Sequence, residues 1–374
     1  MEFQDEYGYL LHLLSCALHG TVPEDIPEHI SAEKVLDYGV LHEVANIAFL
    51  AVRKLRTPPE ESVLSRWQQE YFKAIKRDAL QTAARDTILT ALHSRGISTL
   101  EVQGTVVKRY YPQRHLRMMS DIDIIIPADK LTEAVRILQD FGYATHFTND
   151  AEVFARKGLL NVELHTEFFP SKSIVRPALR EPFSHASPNS DGTEAVTDTV
   201  FYLFHLLHTI KHASGCKGVG IRRIIDLYYL ESAMEDTADL AYVDSVLKDF
   251  GFYEIKKKLC AVKDHWFNDI EPDTDLSAFE REILSAGNHG TSAIFYRNQF
   301  KNEKTRGKHF IKLRFLLSFL FPSKEEIYRC YPFCVRHRLP LPLCWVYRGI
   351  VSVFSRKNRR RARKMLSYLK IKVK

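Results

Sequence analysis

Apolar positions recur at helical spacing through the first quarter of the chain. Tyr9, Leu10, Leu13, Leu14 and Leu18 predict a helix over residues 2–19, broken by Gly20, Pro23 and Pro27. Ser31 is placed to cap a second helix reaching about residue 55, which Thr57, Pro58 and Pro59 stop. A long polar-rich helix over 60–94 follows and closes at Gly96. Then the period changes. Residues 97–102 read as a strand, Gly104 opens a short helix to Tyr111, and residues 121–126 form a β-branched strand. An amphipathic helix over 128–141 ends at Gly142, and strands follow over 144–148, 151–156 and 160–168. Pro170, Pro177, Pro182 and Pro188 mark 170–192 as a linker or covering loop. Helical spacing returns at Thr197, breaks at 215–220, resumes over 221–230 and continues to 263 and over 276–287. The pattern predicts an α+β fold: a small mixed-sheet core flanked by N-terminal and C-terminal helical regions.

Alternation along the 121–126 strand puts Asp121 and Asp123 on one face and Ile122, Ile124 and Ile126 on the other. Two neighbouring carboxylates repel, and burying them without a partner costs several kcal/mol, roughly, which a divalent cation removes. Hard oxygen ligands on a rigid strand suit Mg²⁺ holding a substrate's phosphates. Residues 161–167 alternate again, with Glu163, His165 and Glu167 on one face. Upstream, Gly104 and Thr105 suit a tight turn with backbone N–H groups directed at phosphate. An Asp-x-Asp pair is by itself often just a polar face. Two acids, a third on another strand and a glycine turn before them form a far more specific set.

Composition adds bounds to this picture. A chain of 374 residues with 45% apolar and 26% charged content can fold around more than one core. The acidic start and the lack of a long uncharged apolar run exclude a signal peptide and a spanning helix from the reading. Six scattered cysteines give neither a zinc pattern nor a disulfide framework, which points to a reducing cytoplasm. Charge is uneven: from Lys301 on, 21 Lys and Arg stand against three Glu, a net of +18, leaving −11 for the first 300 residues. The basic end fits an anionic partner, or simply a solvated face. His205, His208 and His212 share one helix face, and Arg222 and Asp226 have the spacing of an intrahelical ion pair. Three histidines without a fourth ligand make a poor zinc site, and lining the cleft or stabilising the helix beneath it is the better reading for them.

Taken together, Gln103-Gly104, Tyr111-Pro112, Arg117-x-x-x-Asp121-Ile122-Asp123, Phe141-Gly142-Tyr143 and Glu163-Leu164-His165 resemble a bacterial family of uncharacterised nucleotidyltransferases, within the polymerase-beta-like superfamily. The histidine helix, Arg222 with Asp226, Phe321-Pro322-Ser323 and Tyr331-Pro332 extend the resemblance over most of the chain. It implies transfer of an NMP group from an NTP to a hydroxyl acceptor with loss of pyrophosphate, assisted by Mg²⁺ or Mn²⁺. Asp121, Asp123 and Glu163 would then be the catalytic and metal-binding acids. Gln103, Gly104, Thr105, Lys108, Arg117 and Lys211 would meet the nucleotide, and His165, His208 and His212 would line the cleft. Arg117 is equally suited to a salt bridge that holds the Asp121 strand. The family commonly carries Lys-Gly where this chain has Gln103-Gly104, so a phosphate contact has to come from elsewhere or activity is weakened.

The resemblance divides the chain into an N-terminal helical region (1–95), an α/β core (96–170), a helical region covering the cleft (171–300) and a basic C-terminal helical segment (301–374). The acceptor is left open among a small molecule, a glycan, a peptide and an RNA. Other readings stay in view. A catalytically impaired nucleotide-binding module accounts for Gln103, and an Asp-x-Asp glycosyltransferase accounts for the paired acids. The latter needs alternating strands and helices before its motif, where this chain is helical. Nucleic-acid binding through the basic end is a third reading.

Overall fold

The computed structural model describes residues 5–149, 152–170, 173–189, 194–214, 218–287, 321 and 340–354. Residues 1–291 form one compact unit and residues 292–374 a second. The basic C-terminal tract, with its predicted helix from Arg356 and the Tyr331-Pro332 segment, lies outside the described residues. What is described of the second unit is a helix, Leu341–Phe354, whose Trp345 ring meets Phe321 edge-on at 5.1 Å. Among the described residues no helix is long and apolar enough to cross a membrane.

The first unit opens with α1 (Asp5–His19), α2 (Ala32–Leu41), α3 (Ala45–Val52) and the long α4 (Glu61–His93). Ser31 caps α2 by accepting the Lys34 N–H, as its position predicts. The predicted single helix to residue 55 is in fact two. Buried His42 engages the Leu284 carbonyl and the Ile221 N–H, and Glu43 turns the chain at a φ of 56°. A tertiary contact overrides the local helical spacing there.

A seven-stranded mixed sheet follows, in the order β3-β4-β5-β2-β1-β7-β6. Its strands are β1 (Leu100–Glu101), β2 (Ile122–Ile125), β3 (Ala144–Asn149), β4 (Glu152–Lys157), β5 (Leu160–His165), β6 (Ala186–Pro188) and β7 (Glu194–Val196). The first strand is shorter than its apolar run predicts. Strand β6 lies within the 170–192 stretch read as loop, and β7 follows it. They extend the sheet beyond β1, where Pro188 is tolerated because it sits on an edge strand. The short α5 (Gly104–Val107) and the amphipathic α6 (Leu131–Asp140) connect the first strands.

Alternation sorts the two faces of the sheet. Ile122, Ile124 and Ile126 from β2 and its end, with Val162 and Leu164 from β5, join the end of α4 and the apolar side of α6 in one buried cluster. On the other side Leu100 and Ile125 join a larger core. That core includes α1 and α3 together with α7 (Asp198–Ser214), α8 (Ile221–Met234) and α10 (Tyr253–Phe267). Two further helices, α9 (Leu240–Asp249) and α11 (Ser277–Ala286), complete the unit. The acids of β2 and β5 therefore stand on the face that α7 and α8 approach.

Candidate active site

Strands β2 and β5 run parallel, and their register sets Asp123 directly beside Glu163 and Ile125 beside His165. Since every second side chain shares a face, Asp121, Asp123, Glu163 and His165 converge. They line a cleft of about 250 Å³ together with Gln103, Gly104, Glu152, Lys211, Arg222 and Arg223. The segment leading into β2 is held from four elements. Asn46 on α3 donates to the carbonyls of His115 and Leu116, and Gln81 on α4 to that of Met119. Asn161 on β5 donates to Ser120 O at 3.1 Å, and Arg222 on α8 to Met118 O at 2.7 Å. An irregular segment so anchored places Asp121 with little freedom.

Among the described residues no Lys or Arg forms an ion pair with these acids. Asp123, only 3% exposed, accepts from Gln103 Nε2 (3.1 Å) and His165 Nε2 (3.2 Å), both on Oδ1. Burial and the Asp123 charge push the Asp121 carboxyl up to about 6. Burial and the charges of Asp123 and Asp121 push Glu163 up to about 7. Burial of the His165 ring lowers its pKa, but the Asp123 hydrogen bond and three nearby carboxylates outweigh this and raise it. The ring's Nε2 lies 3.2 Å from Asp123 Oδ1 and 3.6 Å from Glu163 Oε2. Ligand atoms of Asp123, Glu163 and His165 lie within 4.8 Å of one another, the grouping among the described residues suited to a metal ion. Asp121 lines the cleft beside that grouping but stands outside it.

The turn before these strands is tight. Gln103 adopts a φ of 53°, unusual for a residue with a side chain, and spends its amide on Asp123. Gly104 is required by close approach: a Cβ there would run into Arg117 Nη1 and sit 3.1 Å from Met119 Cβ. Thr105 is buried, its hydroxyl has no hydrogen-bond partner among the described residues, and it does not line the cleft. Lys108 is also turned away, buried in a 2.5 Å ion pair with Asp78.

Arg117 lines the cleft but is clamped to Asp226, Nε to Oδ1 at 3.1 Å and Nη2 to Oδ2 at 2.9 Å, with Tyr111 donating to the same carboxylate. The predicted Arg222–Asp226 pair within one helix is thus replaced: Asp226 serves Arg117, and Arg222 reaches Glu43. A bidentate guanidinium from another element outcompetes a same-helix neighbour for the buried carboxylate.

His208 and His212 line the cleft, their Nε2 atoms 2.8 Å apart, so one ring donates to the other. Burial and the nearby Arg223 and His212 hold His208 neutral. His205 lies buried beneath, outside the cleft lining, its ring held neutral by burial. Lys211 lines the cleft with its ammonium 5.7 Å from the Phe169 ring centre. Sequence reasoning missed Arg223 and Glu152. The signal for Arg223 was present: two adjacent arginines in the first turn of α8, where the helix dipole disfavours cations.

Similar solved structures include the antibiotic-resistance factor ANT(2'')-Ia in solution, at 12% identity and a TM-score of 0.35 over 50% of this chain and 97% of that one. A crystal structure of ANT(2'')-Ia with adenylyl-2''-tobramycin matches at 13% identity and the same TM-score, over 46% and 97% of the two chains. No curated protein matches by sequence. The sequence profile of the uncharacterised nucleotidyltransferases matches residues 28–268, which spans the strand acids, the histidine helix and α8. The chain belongs to this uncharacterised nucleotidyltransferase family and is a nucleotidyltransferase.

Proposed function

We propose that the protein transfers an NMP group from an NTP to a hydroxyl acceptor with the help of a divalent cation. The observation that carries this reading is the parallel β2–β5 register, which sets Asp123 against Glu163 with Asp121 beside them in one cleft. The donor set fits a hard cation. Burial and neighbouring carboxylates push Asp121 and Glu163 up, and Asp123 Oδ2 takes no hydrogen bond from the described residues. Asp121, Asp123 and Glu163 would hold Mg²⁺ or Mn²⁺, with the His165 nitrogen as a further ligand that Mn²⁺ accepts more readily. Bound there, the cation supplies charge neutralisation for the phosphates and for the attacking oxygen.

In the reaction the acceptor oxygen bonds to the α-phosphorus, the bond to the β-phosphate oxygen breaks, and pyrophosphate leaves with the electron pair. The acceptor proton passes to Glu163, the carboxylate beside Asp123 in the cleft. Gln103 and His165 orient Asp123. We assign residues 96–170 to the catalytic core, 171–300 to the cover of the cleft and 1–95 to the support of the segment entering β2. The basic 301–374 segment is left for an anionic partner.

The test is incubation with each labelled NTP, Mg²⁺ or Mn²⁺, and fractionated cell extract. Label should enter one acceptor fraction, and Asp123→Asn should lower that transfer by roughly 10³-fold. Transfer unchanged in Asp123→Asn overturns the assignment. Uptake of a sugar from a nucleotide-sugar in place of the nucleotide would favour the glycosyltransferase reading instead.

A further inference from the structure

A guanidinium buried without an acid is costly, so such a group in a cleft needs a reason. The cations of this cleft can be taken one at a time. Arg117 is spent on Asp226, and Arg222 places Nη1 on Glu43 and the Met118 carbonyl. Lys211 lies against Phe169, and Lys108 is away from the cleft on Asp78. Arg223 is different. It lines the cleft, is 9% exposed, and its side chain makes no ion pair or hydrogen bond among the described residues. Its Nε is buried without a partner, as is the Nε of Arg222 beside it. Burial and the Arg222 charge pull the Arg223 pKa down to about 9, against the opposing charges of Asp226 and Asp121. The first turn of α8 holds no acidic residue, so helix-dipole and side-chain charge carry the same sign there.

We propose that Arg223, supported by Arg222 Nε and Lys211, anchors an oligophosphate site that holds the β- and γ-phosphates of the nucleotide and then the pyrophosphate product. The glycine turn cannot supply this charge, because Gln103 is neutral and bonded to Asp123. A planar guanidinium matches phosphate oxygens in pairs, and a phosphate would satisfy the orphaned donors. Positive charge from α7 and α8 would thus face the leaving group while the strand acids hold the cation. The proposal rests on the nucleotidyl-transfer reading only for the identity of the anion.

The test uses the full chain with sodium pyrophosphate and EDTA, read by calorimetry and by thermal melting. Wild type should bind pyrophosphate and melt higher in its presence. Arg223→Gln should lose at least about tenfold in affinity, and Arg223→Lys should recover part of it as a point charge. Without pyrophosphate, Arg223→Gln should melt at or above the wild-type temperature, because an uncompensated buried charge is gone. Asp123→Asn should still bind pyrophosphate. Failure of wild type to bind, or binding by Arg223→Gln within twofold of wild type, overturns the site and leaves nucleotidyl transfer standing. Arg223-dependent pyrophosphate binding in a protein that transfers no nucleotide keeps the site and overturns the reaction.

Discussion

Asp226 on α8 and Asp123 on β2 are both buried aspartates. At Asp226, which is fully buried, two oxygens receive three donors from Arg117 and Tyr111. Burial alone would raise its pKa, but the Arg117 charge and hydrogen bonds hold it well below the usual carboxylate range. Around Asp123 the balance is reversed. Asp121 and Glu163 add like charge, and their carboxyls rise to about 6 and about 7. One carboxylate is closed by its surroundings and serves to lock helix to loop. The other group is left short of charge and open to a cleft, where a ligand has something to complete.

The largest effect should come from the closed pair. Asp226→Asn strands the Arg117 guanidinium in the interior, and denaturant melts should show a loss of roughly 3–5 kcal/mol. A loss under about 1 kcal/mol would show that the clamp is not structural. The open group should respond with the opposite sign. Glu163→Gln removes a crowded charge and should stabilise the metal-free protein at pH 8 by about 1–3 kcal/mol while lowering transfer. Destabilisation there would erase the contrast between the two sites.

The same contrast appears against pH. A carboxyl whose folded pKa is raised favours the folded state when protonated, so its contribution is present at low pH and fades as pH rises. For Asp121 and Glu163 that window runs from about 4 to about 7, and the raised His165 fades in the same direction. Melting temperature in EDTA should therefore fall across this window. Mn²⁺ should restore more of it at pH 8 than at pH 5.5, because binding displaces protons. The smallest effect is steric. Gly104→Ala presses a methyl onto the clamped Arg117 guanidinium and Met119, and should cost about 1–3 kcal/mol in melts. A wild-type melting curve would mean that Arg117 yields freely.

Alternation made the strand acids legible before any coordinates, since period 2 fixes which side chains share a face whatever the strand packs against. The glycine turn and the amphipathic α6 were legible for the same local reason. Lys108 and Thr105 were not. Nothing next to them in the sequence marks them as buried, yet α4 supplies Asp78 to bury the lysine, and the short helix after Gly104 turns the threonine inward. The partner of Asp226 was likewise hidden, because Arg117 lies 109 residues away and only packing brings it near.

By itself, then, the sequence determined the α+β order, the faces of β2 and β5, and the three acids, all consequences of local period and residue chemistry. Tertiary structure alone decided how the charges are shared. It closed Arg117 on Asp226, sent Arg222 to Glu43, withdrew Lys108 and left Arg223 in the cleft without an ion pair among the described residues. Spacing along a chain says which side chains can meet within one element. Which cation is left over depends on distances between elements, and those exist only after folding.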